Sequence, residues 1–167
     1  MIDWILINGD SIWRTQNLSE ITASGYEINS KIAINKILNT SLPISHFSIN
    51  YAINNTDTTS QGFQSAYVLD YLKSNLSLTA TQTINAKMRV DWRASYQDRE
   101  GGYTDFSSSE EKEYLPFWLV AARISYKTKQ DNTIFIEVNN LLNNEYVDFG
   151  NIPQPGRWLR GGINITL

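Results

Sequence analysis

The sequence predicts an all-β protein: an antiparallel up-and-down meander of about eight long strands, forming the wall of a transmembrane β-barrel. Three observations carry this. Residues 84–97 read INAKMRVDWRASYQ and alternate without a break. Ile84, Ala86, Met88, Val90, Trp92, Ala94 and Tyr96 share one face, and Asn85, Lys87, Arg89, Asp91, Arg93, Ser95 and Gln97 share the other. A period of two is strand geometry, and this run is more than twice the usual length of about five or six residues. The second observation is the pairing of a wholly apolar face with a strongly polar one. In a soluble sandwich the apolar face meets a core and strands are short; in an outer-membrane barrel it meets lipid, the polar face meets a wet lumen, and strands are long and tilted. The third is that connections alternate between short and long, as the periplasmic turns and extracellular loops of such barrels do.

The first strand is Ile2–Ile7, followed by a loop over 8–20. The second spans 21–34, with Tyr26, Ile28, Ile32 and Ile34 in phase, and a turn over 39–43 follows. The third spans 45–54, with Phe47, Ile49, Tyr51 and Ile53 in phase. A loop over 55–64 is rich in Thr, Ser, Gly and Asn, which mark loops. The fourth strand spans 68–80, with Leu72, Leu76 and Leu78 in phase, and a short turn over 81–83 leads into the fifth, 84–97. After a long polar loop, 98–115, come the sixth strand at 116–128, a tight turn at 129–132 and the seventh strand, Thr133–Asn139. A loop over 140–156 precedes the eighth strand, 157–167. The long connections define one end of the barrel and the short ones the other.

Aromatic placement supports the membrane orientation. On the sixth strand the outward set is Trp118, Val120, Ala122, Ile124 and Tyr126. The separation of Trp118 from Tyr126 is about 26 Å along a strand. At a tilt of ~40° this is roughly 20 Å of height, close to the ~25 Å apolar band between aromatic girdles. On the eighth strand Leu159, Gly161, Ile163, Ile165 and Leu167 form the apolar face, and Trp158, Arg160, Gly162, Asn164 and Thr166 the other. The residues expected to face the lumen are Lys31, Lys73, Lys87, Arg89, Asp91, Arg93, Arg123 and Arg160, where mutual salt bridges solvate the inner wall.

Composition bounds the rest. The chain has 167 residues, 12% aromatic, no cysteine and a net charge of −3. The length suits one domain. No run approaches the ~20 apolar residues of a spanning helix. Without Cys there is no disulfide or thiolate-metal chemistry, and the acidic balance gives no footprint for nucleic acid. MIDWILINGD has no basic segment leading into an apolar one, so it is not a signal peptide; Met1 is expected to be a false beginning within a longer reading frame.

Catalytic signatures are not visible. The sequence contains no G-x-S-x-G, no H-E-x-x-H and no phosphate-cradling glycine loop, and nothing points to an enzyme or a cofactor. The single histidine, His46, reads as strand-edge polarity. The acidic residues of the 98–115 loop, Asp98, Glu100, Asp105, Glu110, Glu111 and Glu113, offer oxygen ligands of the kind Ca²⁺ takes, but their spacing matches no EF-hand and a solvated loop explains them.

Near the C-terminus stands VNNLLNNEYVDFGNIPQPGRWLRGGINITL. This resembles the end of TonB-dependent outer-membrane receptors, where a strand ends in an N-L-[F/L]-N-x-x-Y element and a P-x-P-G-R loop leads into the closing strand. Asn140, Leu141, Leu142, Asn143 and Tyr146 match the first element, and Pro153, Pro155, Gly156 and Arg157 match the second. Upstream, YVLDYLKSNLSLTATQTI and WRASYQDREGGYTDF are similar to the late barrel of Bacteroidetes-type receptors, and IDW with the SGYE of residues 24–27 resembles a mid-barrel strand pair. The family usually ends in an aromatic residue, whereas this sequence ends in Leu167.

The resemblance implies that these strands are the C-terminal third of a 22-stranded barrel, without the plug domain and TonB box that precede it in the family. It implies residence in the outer membrane of a Gram-negative cell and active uptake of a scarce ligand such as an iron–siderophore complex or cobalamin. For the lumen-facing residues it implies a border on a substrate route. Its partners would be outer-membrane lipid, the TonB complex acting through the plug, and an unknown small-molecule ligand. The alternative is a self-contained eight-stranded barrel, a small outer-membrane or ligand-binding protein, since eight strands can close by themselves.

Overall fold

Alternation in the sequence becomes a single broad sheet in the computed structural model, which describes residues 2–17, 21–37, 44–58, 62–65 and 71–166. In chain order the strands are β1 (Ile2–Ile7), β2 (Arg14–Asn17), β3 (Ile21–Ala33), β4 (Ile44–Thr58), β5 (Phe63–Ser65), β6 (Tyr71–Thr83), β7 (Met88–Glu100), β8 (Gly102–Thr104), β9 (Glu111–Glu113), β10 (Phe117–Lys127), β11 (Thr133–Asn139) and β12 (Trp158–Asn164). One helical turn, α1 (Ile34–Ile37), follows β3. The seven long strands pair as β12-β11-β10-β7-β6-β4-β3, every pair antiparallel. This is the expected meander, and no helix interrupts it between β7 and β11.

The pairing register sorts side chains onto two faces. Ile32, Phe47, Ala80, Trp92, Ala122, Val138 and Leu159 stand opposite one another in a row that crosses all seven strands. Toward the long-loop end, a parallel row holds Ile28, Tyr51, Leu76, Tyr96 and Trp118. Tyr96 and Trp118 pack with ring centroids 5.2 Å apart. On the opposite face, Thr81, Asp91, Arg123, Glu137 and Arg160 form a polar row across five strands. Met88, Val90, Trp92, Val120, Ala122, Ile124 and Ile163 thus share one side, and Arg89, Asp91 and Arg93 the other.

Among the described residues the apolar face is largely left uncovered. Trp92, Trp118, Ile124, Ile136, Leu159 and Ile163 are all exposed. Only Ile5, Val90 and Tyr114 are buried among the large apolar residues described. The accessible surface is 11689 Å², against about 8,400 Å² expected for a folded soluble monomer of 19.1 kDa. A domain of this length ordinarily has the means to build a core; this one spreads its apolar residues over a sheet face instead.

Four expectations are corrected. The first strand does not join the meander: β1 pairs with β2 and β5 in a separate sheet of order β2-β1-β5. Its anchor is Ile5, which is 2% exposed and packs against Ile21 and Phe63. The meander therefore has seven long strands, not eight, and it is open: among the described residues β3 pairs only with β4, and β12 only with β11. That arrangement does not form the closed eight-stranded barrel of the alternative reading. The loops at 55–64 and 98–115 are partly strand, because β4 and β7 run on to Thr58 and Glu100 and β8 pairs with β9. Finally, the fifth strand starts at Met88 instead of Ile84. The cause is Asn85, whose side-chain oxygen accepts from the backbone N–H groups of Lys87 and Met88 at 2.9 and 3.0 Å. This local bond closes a turn inside the alternating run. The turn predicted over 39–43, strand positions 68–70 and Leu167 lie outside the described residues.

Candidate functional site

Side chains capable of recognition gather in three places: the polar face, the C-terminal loop, and the rim formed by the long loops.

On the polar face, Glu137 is 4% exposed and sits between two arginines on flanking strands. Arg160 donates to both of its carboxylate oxygens, and the Arg123 guanidinium lies 3.8 Å from it. Arg123 also lies over the Phe135 ring at 3.7 Å, a cation–π contact. Phe135 can lie flat because its cross-strand neighbour is Gly162. A Cβ there would stand 2.7 Å from the ring, so Gly162 is the space the ring occupies. One strand over, Asp91 accepts from Thr81 Oγ1 and from Arg89 Nε, each at 2.9 Å. The sequence-predicted residues Arg89, Asp91, Arg93, Arg123 and Arg160 therefore share one face, and four of them are knit into ion pairs. Lys87 does not belong there: it sits in the turn before β7, where its carbonyl accepts from Lys127.

The C-terminal loop is organised by Asn140, which is 5% exposed with φ at 47°. Its Nδ2 donates to the carbonyls of Asn144 and Pro155, and its Oδ1 accepts from the Asn144 N–H. Asn144 Nδ2 in turn donates to the Trp118 carbonyl, and Leu141 N–H to the Val120 carbonyl, so the loop is stitched to β10. Asn143 Oδ1 accepts from the Arg157 N–H at 2.8 Å. A Cβ on Gly156 would lie 2.8 Å from that same oxygen, which is why the residue before Arg157 must be small. Arg157 Nε closes the loop on the Leu141 carbonyl. Val147 bridges to Pro153, and Tyr146 stacks on Phe117 at 4.4 Å. Burial pushes the Tyr146 hydroxyl upward in pKa, with Asp148 adding to it. Asn140, Leu141, Tyr146, Pro153, Pro155, Gly156 and Arg157 thus act together as one loop scaffold.

That scaffold supports the rim. Beside it lies an open cavity of about 850 Å³ lined by residues from six separate segments. Tyr114 is its floor: 6% exposed, it stacks on Tyr103 and its hydroxyl accepts from the Gly150 N–H at 2.8 Å. Arg99 lies between the Tyr114 and Phe149 rings and pairs with Asp148 at 3.6 Å. The β8–β9 hairpin forms one wall, held by the Asp105–Lys112 ion pair. That lysine and two bonds from Ser107 hold the Asp105 carboxyl well below the ordinary range.

Sequence reasoning missed this cavity. It treated 98–115 as a solvated loop, and the only signal available was the density of aromatic residues at Tyr103, Phe106 and Tyr114. Among the described residues no group of three or more His, Asp or Glu is placed to hold a metal ion; the His46 ring nitrogen Nδ1 lies 3.2 Å from the Ser45 hydroxyl. No protein-family model matches the chain, and neither a curated protein nor a solved structure matches it.

Proposed function

We propose that this chain is a wall segment of an outer-membrane receptor of the TonB-dependent class, taking part in active uptake of a scarce ligand. The observation that carries the reading is the seven-stranded antiparallel sheet with one largely exposed, largely apolar face backed by a charged one. In water such a face exceeds the few hundred Å² that a soluble monomer tolerates; against lipid it needs no cover. Short turns at one end and long, structured loops at the other fit a periplasmic and an extracellular side. The rim cavity lies at the long-loop end, where a ligand from outside would first arrive. In this reading the two sheet edges are joined to further strands, because unpaired N–H and C=O groups in hydrocarbon cost several kcal/mol each. The C-terminal loop motif favours the TonB-dependent class over other barrels, and the TonB complex would act through a plug domain.

Fractionation of the source cells tests this. The protein is expected in the outer-membrane fraction, extractable by detergent and running with heat-dependent mobility on a denaturing gel. Recovery as a monodisperse soluble monomer with a cooperative melt would overturn the proposal.

A further inference from the structure

A smaller cavity, of about 250 Å³, opens at the short-turn end of the sheet, between the turn before β7 and the end of β10. Three cations line it, Lys87, Arg89 and Lys127, and no Asp or Glu does. The chain as a whole carries a net charge of −3, so this local excess of positive charge runs against its balance.

The ladder brings the three cations together. Arg89 stands opposite Ser125. Lys127, two residues past Ser125, is on the same face of β10. Its N–H donates to the Lys87 carbonyl at 2.8 Å, one step beyond the Tyr126–Met88 pair. Lys87 and Lys127 are therefore cross-strand neighbours, and like charges placed so destabilise a sheet.

The carboxylates nearby do not cancel this charge. Lys127 meets Asp131 and Arg89 meets Asp91, but both cations are more than half exposed in these pairs, where such contacts are weak. Asp91 takes only the Nε of Arg89. Lys87 makes no ion pair among the described residues. Ser125 also lines the cavity. It is 5% exposed, and its hydroxyl has no hydrogen-bond partner among the described residues, an uncommon state for a buried polar group.

We infer that this cavity binds a phosphate-class oxyanion, a small and multiply charged group with several acceptor oxygens. Lys87 and Lys127 supply point charges, and Arg89 the Nη donors that Asp91 leaves unused. An anion between the two lysines replaces their repulsion with two attractions. The volume lies below the ~300–1,000 Å³ of drug-sized sites, which suits a group of this size. Binding of the anion does not depend on the receptor reading.

The test titrates inorganic phosphate calorimetrically into the protein purified from its native fraction in nonionic detergent, with chloride as the only other anion. Phosphate should bind saturably, and K87Q/K127Q should weaken it at least about tenfold. If the double variant does not fold, Lys87→Gln alone takes its place, with an expected loss of about threefold. Lys129→Gln removes a charge from the neighbouring turn, outside the cavity lining, and should leave the affinity unchanged. A parallel titration with dihexanoylphosphatidylglycerol distinguishes the source. Binding of this lipid that is lost in K87Q/K127Q would assign the group to a lipid headgroup, and binding of inorganic phosphate alone to a soluble ligand; both uphold the site. No binding of either probe, binding unchanged by the Lys87 and Lys127 substitutions, or an equal loss in Lys129→Gln would each overturn the inference. Failure of the receptor reading would show separately, as absence of the protein from the outer membrane, whatever these titrations give.

Discussion

Arg160 and Glu137 are joined through one nitrogen: Nη2 of Arg160 donates to both carboxylate oxygens, at 2.9 and 2.8 Å, across the β11–β12 ladder. The carboxylate is buried while Arg160 remains half-exposed, so the pair shields one partner and leaves the other in reach of solvent. Arg123 approaches the same carboxylate from β10. Glu137 is thus the single anion holding two cations on three neighbouring strands.

Glu137→Gln should destabilise the sheet by about 1.5–3 kcal/mol, the usual worth of hydrogen bonds to a charged group. Arg160→Gln should do less, because Arg123 still offers Glu137 a partner. Denaturant unfolding of the detergent-solubilised protein checks both. Equal losses for the two variants would contradict the shared-anion arrangement.

Asn140→Gly and Asn140→Ala separate two contributions at one position. Both remove the side-chain bonds to Asn144 and Pro155. Only alanine also bears the left-handed backbone conformation, at φ 47°, which costs a non-glycine residue about 1–2 kcal/mol. Limited proteolysis within 140–157 should rise in both variants, more in the alanine one.

The β8–β9 hairpin should depend on pH at both extremes. Lys112 and Ser107 depress the folded-state pKa of Asp105. A depressed carboxylate contributes stability that is complete above its unfolded pKa and is lost as pH falls through the folded one. Lys112 is shifted upward by the same pair, so its contribution is complete below its unfolded pKa and disappears only as pH rises through the folded value. Amide protection over 102–113, taken relative to the intrinsic exchange rate at each pH, should therefore be greatest at intermediate pH and fall in strong acid. Asp105→Asn should abolish the acid limb.

The two faces should respond oppositely to charge. Ile124→Arg, on the exposed apolar face opposite Val90, should reduce folding into lipid vesicles by about 2–4 kcal/mol if it lies near the midplane. Ser77→Arg, on the polar face opposite Ser95, should be close to neutral. Comparable effects for the two substitutions would argue against a lipid-facing side.

Much of this architecture was legible from alternation alone. Thr133–Asn139 has the predicted bounds, and the apolar and polar faces of β7 and β10 separate as their sequences indicate. What alternation does not encode is the choice of partner. Ile2–Ile7 reads as a strand and is one, yet its pairing is decided by Ile5 packing with Phe63, a contact across 58 positions that no local pattern reports. Alternation also runs through turns, as INAK shows: the side-chain and backbone bonds of Asn85 with Lys87 and Met88 end the ladder there. The loop motif around Asn140 was visible as residue types, but its role as a hydrogen-bonded hub was not. The rim cavity was least legible, since Trp13, Phe63, Tyr114 and Phe149 converge only through the fold.

The parity of the sheet carries a last consequence. Seven strands, each antiparallel to the next, leave β3 and β12 running in the same direction, from the long-loop end toward the short-turn end. A second copy set alongside in the same orientation would bring β12 of one against β3 of the other as parallel neighbours, a pairing somewhat weaker per residue. A fully antiparallel ring requires an odd number of intervening strands whose two outermost members both run the opposite way. The sheet is in this sense a keyed piece: antiparallel pairing at either edge calls for a strand of one defined direction.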